Sequence, residues 1–203
     1  MLSFAGFQGW ESTIRRRAVS RLELRPGGAV LDVACGRGSN FGYTQQAIGQ
    51  EGRIVGLDYS PEMLAGAAKL VRAQGWTNVE LVQADAAEMT YTGEFDGAIC
   101  TIAMLVIPRW RDALHRMLAA VRPGGRVVVM DGRLGTAIRR LGNPYARLFA
   151  RITGADLTRD VPGEFLRLTV EAQEETMFLG TYYILSGRVP GEAEDKNDVQ
   201  AGR

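Results

Sequence analysis

The chain has 203 residues, of which 46% are hydrophobic and 23% charged, which is enough for one well-packed domain and too little for two full ones. Its formal net charge of +1 argues against a nucleic-acid-binding protein and against an acidic, solvating one. The two cysteines, Cys35 and Cys100, and the one histidine, His115, cannot build a metal site. Because residues 1–10 lack the basic start and apolar core of a signal peptide, we expect a cytoplasmic protein with reduced cysteines.

The first predicted elements are a helix and a buried strand, separated by a turn. Apolar residues at helical spacing predict a helix over Glu11–Leu24, and we interpret its Arg15–Arg17 run as a solvated face rather than a binding patch. The sequence Arg-Pro-Gly-Gly at 25–28 then breaks the chain. The apolar run Ala29–Ala34 predicts a parallel strand that is covered on both faces.

A glycine-rich turn follows this strand. Gly36 and Gly38 allow the backbone to turn sharply and to approach a ligand closely. Ser39 and Asn40 are both suitable N-caps for a short helix over 40–48. A turn of this kind at the carboxyl end of a strand can form a nucleotide pocket, and Asp58, which ends the next strand, can bind ribose hydroxyls.

Strands and helices alternate over the next part of the chain. Ser60 as N-cap and Pro61 at the first helical position mark a clear helix start. The alternation predicts an α/β fold with a parallel sheet, whose strand ends open onto one edge where ligands bind. The predicted strands are Arg53–Asp58, Val79–Ala84, Phe95–Thr101 and Arg126–Met130, and the predicted helices between them are Pro61–Ala73 and Arg109–Val121.

The pattern changes beyond Asp131. Leu134–Ile152 predicts a long helix, and Leu166–Thr176 and Met177–Gly187 predict two strands joined by a tight hairpin. The polar, glycine-containing sequence from Val189 onward predicts a disordered tail. We therefore expect one domain over 1–188, with an N-terminal helix or lid at 1–24, a substrate-side insert at 132–165 and a tail at 189–203.

The residues of the glycine turn separate one nucleotide-binding family from another. Residues 32–38 read Asp-Val-Ala-Cys-Gly-Arg-Gly, and Phe41 stands where the NAD fingerprint has its third glycine. Together with Asp58, this turn resembles the class I S-adenosylmethionine (SAM)-dependent methyltransferases. The resemblance is closest to the ubiquinone/menaquinone-biosynthesis type (methyltransferase type 11) and its bacterial phospholipid N-methyltransferase relatives. Ala34 replaces the usual first glycine of that family.

The resemblance implies both a fold and a cofactor. The fold would be a Rossmann-like, seven-stranded, mostly parallel sheet with an antiparallel C-terminal edge pair and helices on both faces. The cofactor would be SAM, with its methionine part against the glycine turn and its ribose on Asp58. Tyr59 and Met63 would flank the adenine, and Asp85 and Ala86 would hydrogen-bond to its edge. The implied cofactor-binding residues are Ala34, Cys35, Gly36, Gly38, Asn40, Asp58, Tyr59, Met63, Asp85, Ala86 and Thr101.

The sequence does not reveal a catalytic base. The resembled family often has a histidine or another polar residue just after the fourth strand, where this chain has the apolar segment Ile102–Pro108. A lone helical histidine such as His115 is more often a surface or packing residue than a catalyst. The Asn-Pro-Tyr sequence at 143–145 follows the fifth strand, so we reject its similarity to the box of amino-methylating nucleic-acid enzymes. The weak catalytic candidates are Tyr43, Tyr145 and Tyr182, together with Tyr183 and Glu11.

The leading hypothesis is an enzyme that moves the methyl group of SAM to a small or lipid-like acceptor by in-line displacement, a step that needs mainly positioning and desolvation. The alternatives are a methyltransferase for a soluble secondary metabolite and a SAM-binding module without catalysis. We expect no nucleic-acid partner and no metal. Cys35 and Cys100 end strands that should be neighbours, so we also expect them to lie close together and to line the cofactor pocket.

The predicted helix Leu134–Ile152 has two interpretations. Arg140, Arg147 and Arg151 fall along one of its faces, and apolar residues supply the rest of its surface. In the first interpretation the helix packs on the sheet and its arginines are solvated. In the second, the helix and Arg15–Arg17 contact an anionic membrane surface peripherally and deliver a lipid-like acceptor to the SAM methyl.

Overall fold

Seven strands form one mixed sheet in the computed structural model, which describes residues 4–133, 154–156, 158–177 and 182–191, with side chains from residue 12 onward. The strands are β1 (Ala29–Val33), β2 (Arg53–Asp58), β3 (Val79–Gln83), β4 (Phe95–Thr101), β5 (Val121–Gly132), β6 (Val170–Met177) and β7 (Tyr182–Arg188). Their order is β3-β2-β1-β4-β5-β7-β6. The first five are parallel, and β7 is antiparallel to both β5 and β6. The predicted Rossmann-like sheet with its antiparallel C-terminal edge pair is therefore confirmed.

Helices cover both faces of this sheet. Successive strand residues point to opposite sides, so the apolar strands present apolar side chains on both faces, and both faces are buried. The helices are α1 (Phe4–Ser20), α2 (Phe41–Ile48), α3 (Pro61–Gln74), α4 (Trp110–Ala120) and α5 (Val161–Leu168). Helices α1 to α3 share one apolar core with Val30 and Ile54 of the sheet. Helices α4 and α5 share the other core, which contains Leu31 and Val55. Adjacent residues of β1 and β2 thus belong to different cores, which is why these strands read as continuous apolar runs.

The start of α3 agrees with its sequence signals. The Ser60 hydroxyl accepts a hydrogen bond from the Met63 N–H at 3.2 Å, and Pro61 occupies the first turn. The helix ends at Gln74, where Gly75 adopts a left-handed conformation with φ of 66°. The carboxyl end of β2 and the first turn of α3 are therefore fixed in relation to each other, directly beside Asp58.

The predicted strand Leu166–Thr176 is wrong in its first part. Residues up to Leu168 form α5, whose start is capped by Asp160: its carboxylate accepts from the Gly163 N–H at 2.9 Å. Pro162 lies in the first turn, and Val161 and Phe165, one turn apart, are buried. The signal was present in the sequence, because a capping Asp followed by Pro marks a helix start. Only β6, from Val170, is a strand.

Two further boundaries differ from the predictions. Helix α1 begins at Phe4 and ends at Ser20, whereas the prediction was Glu11–Leu24. Strand β5 begins at Val121, which pairs with Phe95, and its register with β4 shifts before Arg126. A second Arg-Pro-Gly-Gly sequence, at 122–125, therefore lies within β5 as an irregularity, whereas the predicted strand began only after it, at Arg126.

The end of β7 is extended by contacts with this irregular segment. The Val189 N–H donates to the Gly125 carbonyl and the Gly124 N–H donates to the Val189 carbonyl, both at 2.9 Å. Val189, the first residue of the predicted tail, therefore belongs to the fold. The rest of that tail from 192 on, the predicted helix Leu134–Ile152 and the hairpin turn at 178–181 lie outside the described residues.

A glycine in β2 allows α2 to pack closely on the sheet, which leads to a prediction. A Cβ on Gly56 would lie 2.5 Å from the ring of Phe41, which is fully buried. Because overpacking a core typically costs about 1–3 kcal/mol, we expect Gly56→Ala to lower the free energy of unfolding by that amount in urea denaturation. Gly42→Ala in α2 is the control: the atom nearest to its Cβ lies at 3.9 Å, and we expect unchanged or slightly increased stability. Equal losses in the two variants would contradict this packing.

Candidate active site

A cavity of about 620 Å³ opens at the carboxyl ends of β1 to β4. This is the sheet edge at which an α/β fold binds ligands. Seven of the eleven residues predicted to bind the cofactor line the cavity: Ala34, Gly36, Asp58, Tyr59, Met63, Asp85 and Ala86. The other side of the cavity is formed by Ile102, Ala103, Val106, Ile107 and Pro108, which follow β4.

The glycine turn has a backbone that few residues can adopt. Ala34, Gly36 and Gly38 have φ angles of 53°, 57° and 81°. Non-glycine residues in this left-handed region cost roughly 1–2 kcal/mol, so a glycine would suit the position of Ala34 better. A Cβ on Gly38 would also lie 2.5 Å from the Phe41 ring, whereas a Cβ on Gly36 would meet no atom within 4 Å. A larger residue in place of Gly38 would clash with Phe41, whereas the space beside Gly36 is open towards the cavity.

Asp58 holds the glycine turn and the start of α3 together. Its side chain accepts hydrogen bonds from the Gly36 N–H at 2.7 Å and from the Ser60 N–H at 2.9 Å. The residue is only 9% exposed. Since each carboxylate oxygen can accept a second hydrogen bond, Asp58 retains acceptor capacity for a ligand hydroxyl.

Apolar side chains dominate the rest of the cavity. Tyr59 is 76% exposed and Met63 41% exposed, although both are large side chains that normally avoid water. Asp85 accepts a hydrogen bond from the Ala87 N–H at 2.8 Å, which fixes the turn after β3. The cavity therefore offers flat apolar surface with a carboxylate at each of two neighbouring strand ends.

Two of the other four predicted residues, Asn40 and Thr101, belong to a polar network behind the glycine turn. The Asn40 side-chain amide donates to both oxygens of Asp32, at 3.0 and 3.1 Å, and to the Thr101 hydroxyl at 3.0 Å. The predicted capping role of the Asn40 side chain is wrong, because it makes no cap hydrogen bond. Asp32 is 1% exposed, and burial raises its pKa from 3.8 to about 7 against the opposing hydrogen bond from Asn40.

Arg15 of α1 completes this network. Its guanidinium donates to the Asn40 side-chain oxygen at 3.2 Å and to the Thr101 hydroxyl at 2.5 Å. The interpretation of Arg15–Arg17 as a solvated face is therefore wrong for Arg15. Arg17 forms an ion pair with Glu175 of β6 at 2.6 Å, so it is also engaged within the fold. Sequence reasoning missed these contacts because their partners are distant along the chain.

The two cysteines do not meet as expected. Cys35 is packed in the core of α1 to α3, and Cys100 in the core of α4 and α5, so the thiols lie on opposite faces of the sheet. Neither residue is among those that line the cavity, and both are free thiols. Burial raises the pKa of both thiols and so favours their protonated form, which is the less nucleophilic one.

None of the described tyrosines proposed as catalysts lines the cavity. Tyr43 is half-buried below the guanidinium of Arg16, at 5.7 Å from the ring centroid. Tyr182 pairs with Gly132 in the β5–β7 ladder. Tyr145 lies outside the described residues. His115 is exposed on α4, which agrees with its interpretation as a surface residue.

Comparisons with known proteins agree with this geometry. A family model described as a methyltransferase domain matches residues 30–125. The demethylmenaquinone methyltransferase of Bacillus mycoides is 30% identical over 139 residues, which cover 68% of this chain and 57% of that protein. The chain thus spans little more than half the length of this relative.

Solved structures show the same fold at lower sequence identity. The phosphoethanolamine N-methyltransferase 2 of Haemonchus contortus has a TM-score of 0.75 at 15% identity, covering 88% of this chain and 53% of that one. The geranyl diphosphate C-methyltransferase of Streptomyces coelicolor has a TM-score of 0.73 at 15% identity, covering 88% of this chain and 80% of that one. The strand order, the glycine turn and these matches lead to one conclusion: residues 30–125 match a methyltransferase domain, and the described sheet has the fold of solved methyltransferases.

Proposed function

We propose that the chain transfers the methyl group of SAM to a small or lipid-like acceptor by in-line displacement. The observation that carries this proposal is the position of Asp58. This buried carboxylate holds the glycine turn and lines an apolar cavity at the sheet edge. A buried acceptor beside a turn with open space is the arrangement that a ribose-containing cofactor requires.

The cavity offers contacts for each of the three parts of SAM, which are the methionine part, the ribose and the adenine. The open space at Gly36 allows the methionine part to approach the backbone. Asp58 accepts from the ribose hydroxyls, and Tyr59 and Met63 supply exposed apolar surface for the adenine. Asp85 accepts from the adenine amino group, and the neighbouring Ala86 N–H donates to the ring. SAM supplies a sulfonium methyl group, which is activated for displacement without help from a base.

The acceptor lies against the segment after β4 in this proposal. Ile102, Val106 and Ile107 line the cavity and offer no titratable group. They can exclude water and restrict the position of the acceptor, which is the main requirement of an in-line methyl transfer. An apolar acceptor such as a quinol or a lipid suits these side chains best, and the demethylmenaquinone relative supports this class.

Two measurements test the proposed function. Calorimetric titration should show binding of SAM and no binding of NAD, because Phe41 occupies the position of the third glycine in the NAD fingerprint. Incubation with SAM and a panel of quinols, phenols and aminolipids should then yield a methylated product. Binding of SAM without turnover of any acceptor would favour a binding module, and absence of SAM binding would refute the proposal.

Peripheral contact with an anionic membrane stays a prediction from sequence. Arg140, Arg147 and Arg151 lie outside the described residues. Arg15 and Arg17 are less available for contact with a membrane than the sequence predicted, because both interact with other residues of the fold. No helix within the described ranges is sufficiently long and apolar to cross a bilayer.

A further inference from the structure

The segment Ile102–Pro108, here called the acceptor wall, has an unusual conformation at its first residue. Ile102 has a φ of 57°, and its N–H donates to the Met130 carbonyl at 2.7 Å. A β-branched residue rarely adopts this left-handed conformation, which persists only where the surrounding structure enforces it. Ile102 and Val106 are 42% and 41% exposed, and both line the cavity. This conformation therefore requires contacts from other parts of the chain to the acceptor wall.

Arg159 supports the wall from one side. One nitrogen of its guanidinium donates to the Met104 carbonyl at 2.8 Å and also to the Ile107 carbonyl. Its side chain is only 13% exposed, and its Nε lies 3.5 Å from the carboxylate of Asp156. The Asp156 N–H adds a third contact, to the Leu105 carbonyl at 2.8 Å. Three carbonyls of the wall are thus bound by Arg159 and Asp156, which lie within the predicted substrate-side insert at 132–165.

Asp131 supports the wall from the other side. This carboxylate at the end of β5 is 2% exposed and accepts from the Leu105 N–H at 3.2 Å. The wall is therefore bound at its carbonyls by Arg159 and Asp156 and at an amide by Asp131. Of these supports, Arg159 is the side chain that reaches two carbonyls at once.

We propose that Arg159 is a positioning residue for the methyl acceptor, acting through the acceptor wall. The inference rests on the proposed function and assigns to the described part of the predicted insert at 132–165 a role in acceptor binding. Arg159 does not line the cavity and so does not touch the acceptor. Its hydrogen bonds keep Ile102, Val106 and Ile107 in the positions from which they contact an apolar acceptor and orient it towards the methyl group of SAM. A displacement of about 1 Å from this geometry can cost about a hundredfold in rate.

The test compares Arg159→Gln and Arg159→Lys with a matched control, Arg167→Gln. Arg167 lies nearby in α5, is 69% exposed and pairs with Glu164 at the surface. In the full chain, a short-chain demethylnaphthoquinol serves as the acceptor. We expect Arg159→Gln to lower kcat/KM for this acceptor at least tenfold, with a SAM Kd within twofold of the wild type. Because lysine can still donate to one carbonyl, Arg159→Lys should recover part of the loss, and Arg167→Gln should behave as the wild type.

Hydrogen exchange with SAM present gives a second readout that needs no acceptor. The Val106 and Ile107 amides both donate to the Ala103 carbonyl, and they should exchange at least tenfold faster in Arg159→Gln. Unchanged exchange there, or a loss of SAM affinity equal to the loss of kcat/KM, would overturn the inference. If Arg159→Gln does not fold, the same comparison is made with Arg159→Lys. A wild-type protein that binds SAM but methylates nothing would instead refute the proposed function, and the exchange rates would still decide on the wall.

Discussion

Replacing Asp58 with alanine should weaken SAM binding at least a hundredfold. The proposed ribose contacts are two charge-assisted hydrogen bonds, each contributing about 1.5–3 kcal/mol, and a hundredfold change in Kd corresponds to about 2.7 kcal/mol. The structure adds a second effect, since the same carboxylate accepts from the N–H groups of Gly36 and Ser60. Loss of Asp58 would therefore loosen the glycine turn as well as remove the ribose acceptor.

Calorimetry and urea denaturation separate these two effects. We expect the free energy of unfolding of Asp58→Ala to fall by about 1–3 kcal/mol, because two backbone donors lose their partner. Glu62→Gln is the control, since Glu62 is an exposed carboxylate in the first turn of α3 and does not line the cavity. Its SAM Kd should stay within twofold of the wild-type value. Undiminished SAM affinity in Asp58→Ala would remove the basis of the proposed cofactor site.

Replacing Asp32 with asparagine should stabilise the protein at about pH 8. Burial raises the pKa of Asp32 from 3.8 to about 7, so the folded state binds this proton more tightly than the unfolded state does. The contribution of Asp32 to stability is therefore complete below about pH 3.8 and is lost as the pH rises to about 7. Three pKa units correspond to about 4 kcal/mol, but an asparagine amide cannot accept one of the two hydrogen bonds that Asn40 donates to Asp32, so the net gain at about pH 8 should be about 2–3 kcal/mol.

The stability difference between Asp32→Asn and the wild type should depend on pH. The advantage of Asp32→Asn in urea denaturation should shrink as the pH falls from about 7 towards about 4, because the wild-type carboxyl then becomes neutral. Asp96→Asn gives the opposite sign. Partial burial opposes the shift, but hydrogen bonds from the Ala29 N–H and Arg122 lower the pKa of Asp96. That variant should lose stability at neutral pH and approach the wild type in acid. A gain for Asp32→Asn that did not change with pH would contradict the raised pKa.

Features set by neighbouring residues were predictable from the sequence. The capping Ser60 with Pro61 fixed the start of α3, and apolar runs bounded by turns located the parallel strands to within one or two residues, β5 excepted. The cavity followed from topology, because parallel strand ends share one edge. The same reasoning placed Asp58 and Asp85 at neighbouring positions of that edge, where the structure has both.

Features set by distant residues were not predictable. The contact between Arg15 and Thr101 joins residues 86 positions apart, and no local pattern marks an arginine on α1 as a partner of the sheet. A charged Asp32 within an apolar strand was the available signal, since a buried carboxylate requires hydrogen-bond donors. Arg159 gave no signal, because its partners are backbone carbonyls, which every residue carries.

The pairing of Val189 with Gly124 and Gly125 has a practical consequence for experiments on surfaces. These glycines precede the parallel part of β5, so this pairing lies at the amino ends of the parallel strands, whereas the cavity lies at their carboxyl ends. An affinity label or tether attached after Gly191 would anchor the protein with the cavity mouth towards the bulk solution. Immobilised in this orientation, the protein should present its ligand site to a flowing analyte, whereas attachment through Tyr59 or Ile102 would block it.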